Sequence, residues 1–586
     1  MPNQIKHNFL NGVLDNIAKL APDEFKKYHP KAGDVEGQTH MYSRAQIHLF
    51  LRVRFGILDF MTAEDQITDD TGDGGLDAYH IDEEKKIIYL IQSKYKITPE
   101  GYLNGNVDWR EFFKMELDRI TQGESVSMSG IQYNGKIGIF QKKIKDISDI
   151  ARWKYVLIYL GNVPSAITKK NLLEVSGNVC DIAEIFYGND FYNQVLIPYL
   201  KRDFYKKEDF SFQIHVNQDK AANRIRYSVD LGNGESAEVQ LCFVPTIEIA
   251  RMMSQYRNSI LRYNPRCYVG ISSKGVNADI RKSVSNTEHN EFSLLNNGVT
   301  IVCNEVNYTD NTAQQGRASI IVSNPQIVNG GQTAFTLAHL YEKDSDRSIF
   351  DKKEVLTKFI IIMGNQGEMI EKISDATNSQ NPIKPRDKAS NDLIMIRLQS
   401  ELFDQYGVLL ERKQGEFYDS IKEELIDKVN ILDSIILMRL LLVYRGSVAR
   451  ARSAGETTLF KDYNLDGIDI CEIYKLIQIY NRVSSLEQVG KRDSRSHYQM
   501  NIWGNGLRYG QWAIIYMIYK LHNSGRNLDD CLSYIQSKWL DFENTIANHE
   551  HNKGYFSDGF DYANYYKGST IDRDLIEYAV NLKNKN

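Results

Sequence analysis

The spacing of apolar residues alternates between helix-like and strand-like along the first third of the chain. Apolar positions three and four residues apart predict helices at 4–20, 43–56, 108–121 and 165–175. Runs rich in Ile, Leu, Val and Tyr predict strands at 76–81, 86–96, 154–162 and 179–188. Because helices separate several of these strands, we expect an α/β domain over about 1–200.

The remainder of the chain passes from strand patterns to helical patterns. Residues 201–245 predict a β-rich connector, and 246–390 mix both patterns, which predicts an α+β core. Within this core, 292–303 predicts a hairpin, since Asn297–Gly298 suits a tight turn that needs positive φ. Helical patterns dominate 391–586, so we expect the chain to end in a mostly helical region.

Composition and charge narrow the classes of function. The 586 residues are 42% hydrophobic and 25% charged, which is ordinary globular composition. Lys and Arg number 71 against 76 Asp and Glu, so any contact with nucleic acid must come from a local basic patch. The six cysteines form no CxxC pair, which argues against structural zinc and a dense disulfide framework. The N-terminus reads as an amphipathic helix and no apolar stretch approaches about 20 residues, so we expect a cytoplasmic protein without membrane association.

An acidic block covers 61–84, with nine carboxylates and no Lys or Arg. It leads into the strands at 76–81 and 86–96. If these strands form a hairpin that turns at Glu84–Lys85, Asp77 lies opposite Gln92. Lys94 lies two residues beyond Gln92 and therefore points to the same face. An anionic oxygen, an amide oxygen and an ammonium group are thus expected to meet in one small volume.

This combination suits hydrolysis of phosphodiester bonds. A hard cation such as Mg²⁺, or Mn²⁺, takes oxygen ligands, and Asp77 and the Gln92 carbonyl supply two of them. Lys94 would orient a water or stabilise developing charge. Gly74 and Gly75 would let a metal or phosphate approach the backbone closely, and Asp73 is a possible additional acidic ligand.

The segment GDGGLDAYHID…IYLIQSKYK resembles the core of PD-(D/E)xK nucleases. Its D…QxK form is typical of Mrr-like restriction endonucleases. The resemblance implies a restriction-endonuclease-like core with Asp77, Gln92 and Lys94 as catalytic residues. Many relatives add a Glu from the first core helix, but the predicted helix at 43–56 has none, and Gln46 is its nearest polar residue. The acidic residues considered as substitutes are Asp15, Glu64, Asp70 and Asp73.

A basic segment follows at 131–154. It contains the candidate nucleic-acid-binding residues Lys136, Lys142, Lys143 and Lys145. These lysines either follow a phosphate backbone or form a solvated helix face, and the sequence leaves both interpretations open.

Three further motifs resemble the AIPR family, named for abortive-infection phage resistance. They are NNGVT at 296–300, NPQIVNGGQT at 324–333 and ATNSQNPIKPRD at 376–387. The resemblance implies a module over about 240–560 with a role in defence against phage, and a nuclease-like N-terminus suits such a role.

The NGGQT segment, between a predicted strand and a predicted helix, is a candidate ligand loop. Its residues are Asn329, Gly330, Gly331, Gln332 and Thr333. Two adjacent glycines before a helix N-terminus favour an anion site. The simpler alternative is a Gly-rich turn followed by a helix cap.

The sequence therefore predicts an antiphage, metal-dependent endonuclease, with DNA favoured as substrate. The AIPR module would recognise substrate, sense infection or assemble the protein. One alternative is a non-catalytic nucleic-acid-binding or nucleotide-binding module with a degenerate nuclease core, and another is an RNA-cleaving toxin. A homo-oligomer, a phage-encoded trigger and a partner defence protein are all possible. Isolated surface positions explain His497, His549 and His551 most simply.

Overall fold

A computed structural model gives the fold as two compact units. The first comprises Met1–Asn381 with Gly415–Ile426, and the second comprises Pro382–Gln414 with Asp427–Asn586. The structure describes residues 2–584 except 84, 107–114, 165–167, 176–178, 205–209, 220–222, 233–234, 265–275, 287–290, 311–316, 344–346, 363–366, 379–384, 462–466, 468, 493–498 and 556–558.

The first unit begins with a four-stranded sheet in the order β1-β2-β3-β4. The strands are β1 (Ala78–Asp82), β2 (Ile87–Ser93), β3 (Lys154–Leu160) and β4 (Ile182–Phe186). β1 and β2 are antiparallel, whereas β2, β3 and β4 run parallel. The α-helices in this part are α1 (Pro2–Ala18), α2 (Val35–Phe55), α3 (Phe60–Glu64), α4 (Pro99–Asn104), α5 (Leu117–Gln122), α6 (Gly135–Lys145), α7 (Lys169–Val175), α8 (Gly188–Phe191) and α9 (Ile197–Leu200).

Helices cover both faces of this sheet, which is why β2 is a nearly continuous apolar run. On one face Gln46 of α2 donates to Ser93 Oγ at 2.9 Å. On the other face Phe140 of α6 stacks on Tyr79 with ring centroids 4.3 Å apart. The α/β prediction for this region is confirmed. The predicted start of the second helix is wrong, because Asp34 caps it and the helix begins at Val35.

That longer α2 also corrects the expectation that its helix carries no Glu. Glu36 lies in its first turn, but its side chain is 90% exposed and faces only His40. Among the other predicted helices, α5 and α7 cover the later parts of 108–121 and 165–175, and the residues before them fall partly outside the described chain.

Two further sheets complete the first unit. One has the order β5-β10-β9 and the other β11-β8-β12-β7-β6. The strands are β5 (Ser211–Asn217), β6 (Ile225–Gly232), β7 (Glu235–Pro245), β8 (Val299–Cys303), β9 (Glu305–Asp310), β10 (Arg317–Ser323), β11 (Gln326–Asn329) and β12 (Glu354–Ile362). The helices are α10 (Thr246–Tyr256), α11 (Val276–Ser285), α12 (Phe292–Leu295), α13 (Gly331–Lys343), α14 (Gly367–Thr377) and, from the later segment, α17 (Tyr418–Lys422).

The strands of the predicted connector belong to these sheets, since β5 pairs with β10 and β7 pairs with β12. The predicted hairpin at 292–303 is wrong on one side. Phe292–Leu295 forms the short helix α12, and only Val299–Cys303 is a strand. Gly298 has a φ of +87°, so the predicted positive φ is confirmed. Gly298 links a helix to a strand, however, and not two strands of a hairpin.

The second unit is almost entirely helical, as predicted. Its helices are α15 (Pro385–Ala389), α16 (Leu393–Tyr406), α18 (Ser434–Tyr444), α19 (Val448–Ser453), α20 (Glu456–Lys461), α21 (Ile470–Arg492), α22 (Met500–Trp503), α23 (Gly506–Tyr509), α24 (Gln511–His522), α25 (Leu528–Ala547), α26 (Tyr562–Tyr565) and α27 (Thr570–Asn584). A small parallel pair, β13 (Leu409–Glu411) and β14 (Ile431–Asp433), is its only sheet in the described residues. None of the helices that the structure describes has the length and apolar character to cross a membrane.

Candidate metal centre

The antiparallel pairing of β1 and β2 extends to Ala78 and Ile91, the residues next to Asp77 and Gln92. Ala78 pairs with Ile91, and the backbone N–H of Asp77 donates to the Ile91 carbonyl at 3.0 Å. Directly opposed residues of an antiparallel pair share a face, and Lys94 follows two residues after Gln92. The predicted hairpin register is confirmed from the pair Ala78–Ile91 to the pair Asp82–Ile87. The shared face of Asp77, Gln92 and Lys94 stays a prediction.

Three carboxylates meet at the start of this hairpin. One oxygen each from Asp69, Asp73 and Asp77 all lie within 4.8 Å of one another. The backbone positions Asp69, because its N–H and that of Thr68 donate to the Asp77 carbonyl at 3.1 and 2.9 Å. Asp73 is fixed by the Gly75 N–H, which donates to its Oδ1 at 2.8 Å. We call this group the acidic cluster.

Glycine at position 74 is required by packing. Its φ is +61°, and a Cβ there would lie 2.7 Å from the Tyr133 ring and 2.9 Å from Ile120. The close contacts of this position are therefore with the helical layer. The effect is to hold the loop carrying Asp73 tightly against the domain. The approach of a metal or phosphate to Gly74 and Gly75 stays a prediction.

Burial and like charge raise the pKa of Asp77. Its carboxyl is buried and its Oδ2 accepts the Ser93 N–H at 2.7 Å. Burial is the largest cause and raises the pKa to about 7, Lys94 opposes it, and the charges of Asp69 and Asp73 add to it. The pKa of Asp73 is raised too, first by burial. These carboxylates are costly to ionise together unless a cation joins them.

Gln92 and Lys94 complete the face. Gln92 is only 3% exposed, and its Oε1 has no hydrogen-bond partner among the described residues. A buried amide oxygen without a donor costs about 1–3 kcal/mol, so a ligand at this point would stabilise it. Lys94 lowers the pKa of both Asp77 and Asp73, so its ammonium group acts on the cluster from close range.

Arg44 and Asp69 are the two residues of this site that the sequence did not single out. Arg44 of α2 is buried, and its Nε lies 3.0 Å from Asp69 Oδ2. Asp69 stood in the acidic block without a distinguishing feature. Its only local signal is the apolar Ile67, which forms a β-bridge with Ala78 and so brings the next residues alongside Asp77.

Glu64 lies beside the cluster but is already satisfied. Its oxygens contact Tyr28, whose hydroxyl donates to it, His48 at 3.3 Å and Lys136 at 2.9 Å. Burial alone would raise its pKa, but these hydrogen bonds and the Lys136 charge lower the pKa to about 2. Of the considered substitutes, only Asp73 is in the cluster; Asp70 pairs with Lys27 at 2.5 Å.

The predicted basic residues divide into two groups along α6. Lys136 donates to Glu64 Oε1 at 2.9 Å, so its charge is paired within the domain. The other three are exposed, and we call them the basic face: Lys142, Lys143 and Lys145. Helix α6 starts against the loop of the acidic cluster, because the Asn134 N–H donates to the Gly72 carbonyl at 2.9 Å.

The described start of the third AIPR-like motif, residues 376–378, meets the first two motifs in the first unit. The last two residues of NNGVT begin β8, which pairs with β11, the strand formed by QIVN. Side-chain amides link the motifs: Asn296 to Thr333 Oγ1 at 3.0 Å, Asn329 to the Thr377 carbonyl at 3.0 Å and Asn378 to the Val328 carbonyl at 2.7 Å. These amides donate to neighbouring motifs, which indicates a shared structural junction.

Within this junction the glycines of NGGQT have different roles. Gly330 has a φ of +84°, and a Cβ there would lie 2.7 Å from the Gly298 carbonyl oxygen. Gly331 is the first residue of α13 and has no positive φ. The Gly330 N–H is engaged by Asn329 Oδ1 at 2.7 Å, and Thr333 is buried. The turn at a helix N-terminus is present; its use as a ligand loop remains a prediction.

Comparison with known proteins supports the assignment of this part of the chain. Residues 261–551 match the model of a family described as AIPR protein. The matched range includes all three motifs. No curated protein and no solved structure matches the chain.

Proposed function

We propose that this chain is an antiphage defence protein whose N-terminal α/β part is a metal-dependent endonuclease, with DNA as the favoured substrate. The observation that carries the proposal is the acidic cluster, together with the buried Gln92 oxygen that has no hydrogen-bond partner in the described part of the chain. The AIPR match supports the abortive-infection role. The resemblance of the N-terminal sequence to Mrr-like PD-(D/E)xK nucleases is the reason for proposing a restriction-endonuclease-like core.

The donor set fits a hard divalent cation. Carboxylates and an amide carbonyl are all oxygen ligands, which Mg²⁺ and Mn²⁺ prefer over nitrogen or sulfur. Asp77 and Gln92 would hold the cation, with Asp73 as a further ligand. When bound, it would supply Lewis acidity that eases ionisation of water and offsets charge on the phosphate.

The residues of the chain would then perform distinct tasks. Lys94, on the same face as Asp77, would donate to the phosphate oxygen on which negative charge develops, an effect typically worth about 10²–10³ in rate. Arg44 holds Asp69 in place through its guanidinium group. The basic face of α6 would attract the phosphate backbone toward the loop of the cluster.

One observation favours a non-catalytic alternative. Arg44 already supplies a positive charge at 3.0 Å from Asp69, and no Glu of α2 contributes to the cluster. In that alternative, Arg44 replaces the cation, and the domain binds nucleic acid or nucleotide without cutting it. The AIPR module would then provide recognition or assembly, with a phage-encoded trigger or a second copy as partner.

The test is a cleavage assay with matched variants. The purified full-length protein is incubated with plasmid DNA and with total RNA, in Mg²⁺, in Mn²⁺ and in chelator. The variants are Asp77→Ala and Lys94→Ala, and the control is Asp70→Asn, which alters a carboxylate of the same loop that pairs with Lys27 outside the cluster. Phage plating on cells that express each variant gives the defence readout.

We expect divalent-dependent cleavage that Asp77→Ala abolishes, that Lys94→Ala reduces by about 10²–10³, and that Asp70→Asn retains. Cleavage of RNA alone would instead identify the RNA-cleaving toxin. Full phage protection by a stably expressed Asp77→Ala protein would contradict the nuclease and favour the binding module.

A further inference from the structure

A second group of metal-ligating side chains lies in the helical unit. His549 and His551 flank Glu550 directly after α25, and Asp574 lies in α27. One ligand atom from each of the three residues lies within 4.8 Å of the other two. The turn and the helix are separated by about 20 residues in sequence, so the fold, and not the His-x-His spacing alone, creates this group.

Hydrogen bonds orient the Asp574 carboxylate toward the histidines. Its side chain has no exposed surface, and its Oδ2 accepts the Asn552 amide and the Tyr565 hydroxyl, each at 2.8 Å. Oδ1 lies 2.6 Å from His551 Nε2 and 3.7 Å from His549 Nδ1. Such outer hydrogen bonds are what fix a ligating carboxylate in metal sites.

His549 separates a metal site from a simple ion pair. A contact between His551 and Asp574 alone would account for the 2.6 Å distance. That contact does not explain His549. Its Nδ1 is buried, lies 3.7 Å from Asp574 Oδ1 and has no hydrogen-bond partner among the described residues. A buried imidazole nitrogen is costly to leave unpartnered, and a cation between the three groups removes that cost.

We propose that His549, His551 and Asp574 form a site for a divalent transition metal, with Zn²⁺ the best match. Two imidazole nitrogens and one carboxylate oxygen are ligands that Zn²⁺ takes at about 2.0–2.2 Å, which separates tetrahedral ligands by roughly 3.3–3.5 Å. The 3.7 Å pair needs little movement, and the 2.6 Å hydrogen bond opens when His551 gives up its shared proton.

This site is different in kind from the acidic cluster, which offers oxygen ligands alone. The two histidine side chains are about one-third exposed, so the fourth position faces solvent and accepts water or an external ligand. The metal would join the turn at Glu550–Tyr555 to α27. Under this proposal His549 and His551 would be metal ligands instead of isolated surface histidines, and His497 lies outside the described residues.

The test measures Zn²⁺ binding by the full chain, purified without a polyhistidine tag. Zn²⁺ is titrated in competition with a chromophoric chelator, in excess Mg²⁺ so that oxygen-only sites are filled. Wild type is compared with His549→Gln and Asp574→Asn. The control is His40→Gln, because His40 also faces a carboxylate, Glu36 at 3.9 Å, but belongs to no group of three metal-ligating side chains in the described residues. Thermal melting with and without Zn²⁺ accompanies each titration.

We expect wild type and His40→Gln each to bind one equivalent of Zn²⁺. Their affinity for Zn²⁺ should exceed that of His549→Gln by at least about 100-fold, because loss of a direct ligand lowers metal affinity more than the 10–100-fold typical of losing an outer hydrogen-bond partner. In chelator, His549→Gln should melt with wild type, because its Nδ1 makes no hydrogen bond. If Asp574→Asn fails to fold, His549→Gln alone decides. Equal Zn²⁺ affinity of wild type and His549→Gln, or no Zn²⁺-dependent rise in melting temperature, overturns the proposal.

Discussion

Replacing Asp77 by Asn should stabilise the protein in the absence of metal while removing its proposed activity. The carboxyl is buried and its pKa is raised to about 7, first by burial, whereas an unfolded Asp titrates near 3.8. Asn keeps the size and can still accept the Ser93 N–H. The substitution also removes one of the like charges beside Asp73.

The size and sign of the effect follow from linkage. Between about pH 3.8 and pH 7 the folded state holds a proton that the unfolded state has lost, so wild-type stability falls as pH rises through this window. At 1.36 kcal/mol per pKa unit, the free-energy difference in favour of Asp77→Asn is about 1.7 kcal/mol near pH 5 and about 4 kcal/mol near pH 8. With roughly 2.1 cal/mol/K of unfolding entropy per residue, a unit of about 390 residues converts 4 kcal/mol into about 5 °C.

Differential scanning calorimetry in chelator, from about pH 5 to pH 8.5, measures this difference. The control Asp70→Asn should show the opposite sign by less than about 1 kcal/mol, because it loses an exposed ion pair with Lys27. Adding Mg²⁺ should raise the melting temperature of wild type and not of Asp77→Asn. A difference between wild type and Asp77→Asn that does not grow with pH, or an equal response of both to Mg²⁺, would refute the reasoning.

Three further predictions concern Glu64 beside the acidic cluster, Gly330 in the junction of the AIPR-like motifs, and the basic face of α6. Glu64→Gln should destabilise the fold by about 3 kcal/mol, since the pKa of Glu64 is lowered from 4.5 to about 2 and each pKa unit is worth 1.36 kcal/mol. This difference should disappear as pH falls from about 4.5 toward 2, as followed by denaturant unfolding. Gly330→Ala should lower the free energy of unfolding by about 1–3 kcal/mol more than Gly123→Ala. Both glycines have a φ of +84°, but only at Gly330 would the new Cβ lie against backbone atoms. Equal melting temperatures of the two variants would contradict this. Replacing the three lysines of the basic face by Gln should weaken DNA binding, measured by fluorescence anisotropy. The slope of log binding constant against log salt concentration should become shallower by about 0.9 per lost phosphate contact. An unchanged slope would exclude these lysines from the interface.

The hairpin register could be predicted because a strand has a strict period of two and the turn between β1 and β2 is short. Those two features predict that Asp77, Gln92 and Lys94 share a face, without any knowledge of the remaining fold. The start of α2 could not be found from apolar spacing, since its first two turns are mostly polar. The cap at Asp34 determines it, through a hydrogen bond from the Gly37 N–H.

The rest of the site depends on contacts between distant segments. Arg44 reaches Asp69 from a helix, and the irregular loop that carries Asp69 and Asp73 has no period to extrapolate. The junction of the AIPR-like motifs is non-local in the same way, because β8 pairs with β11 and their loops meet α14. A short apolar run such as Phe292–Leu295 also fails locally, since four residues suit a helical turn as well as a strand.

Two buried carboxylates of the same acidic block differ in a way that separates architecture from function. Glu64 and Asp77 are 3% and 6% exposed, yet the pKa of Glu64 is lowered and that of Asp77 is raised. Burial acts on both in the same direction, so the difference comes from their partners. Glu64 has a hydroxyl, an imidazole and an ammonium group as direct contacts. Asp77 accepts one backbone N–H, and the charges of Asp69 and Asp73 work against the favourable charge of Lys94. The proposed cation would give Asp77 the direct positive contact that Lys136 gives Glu64.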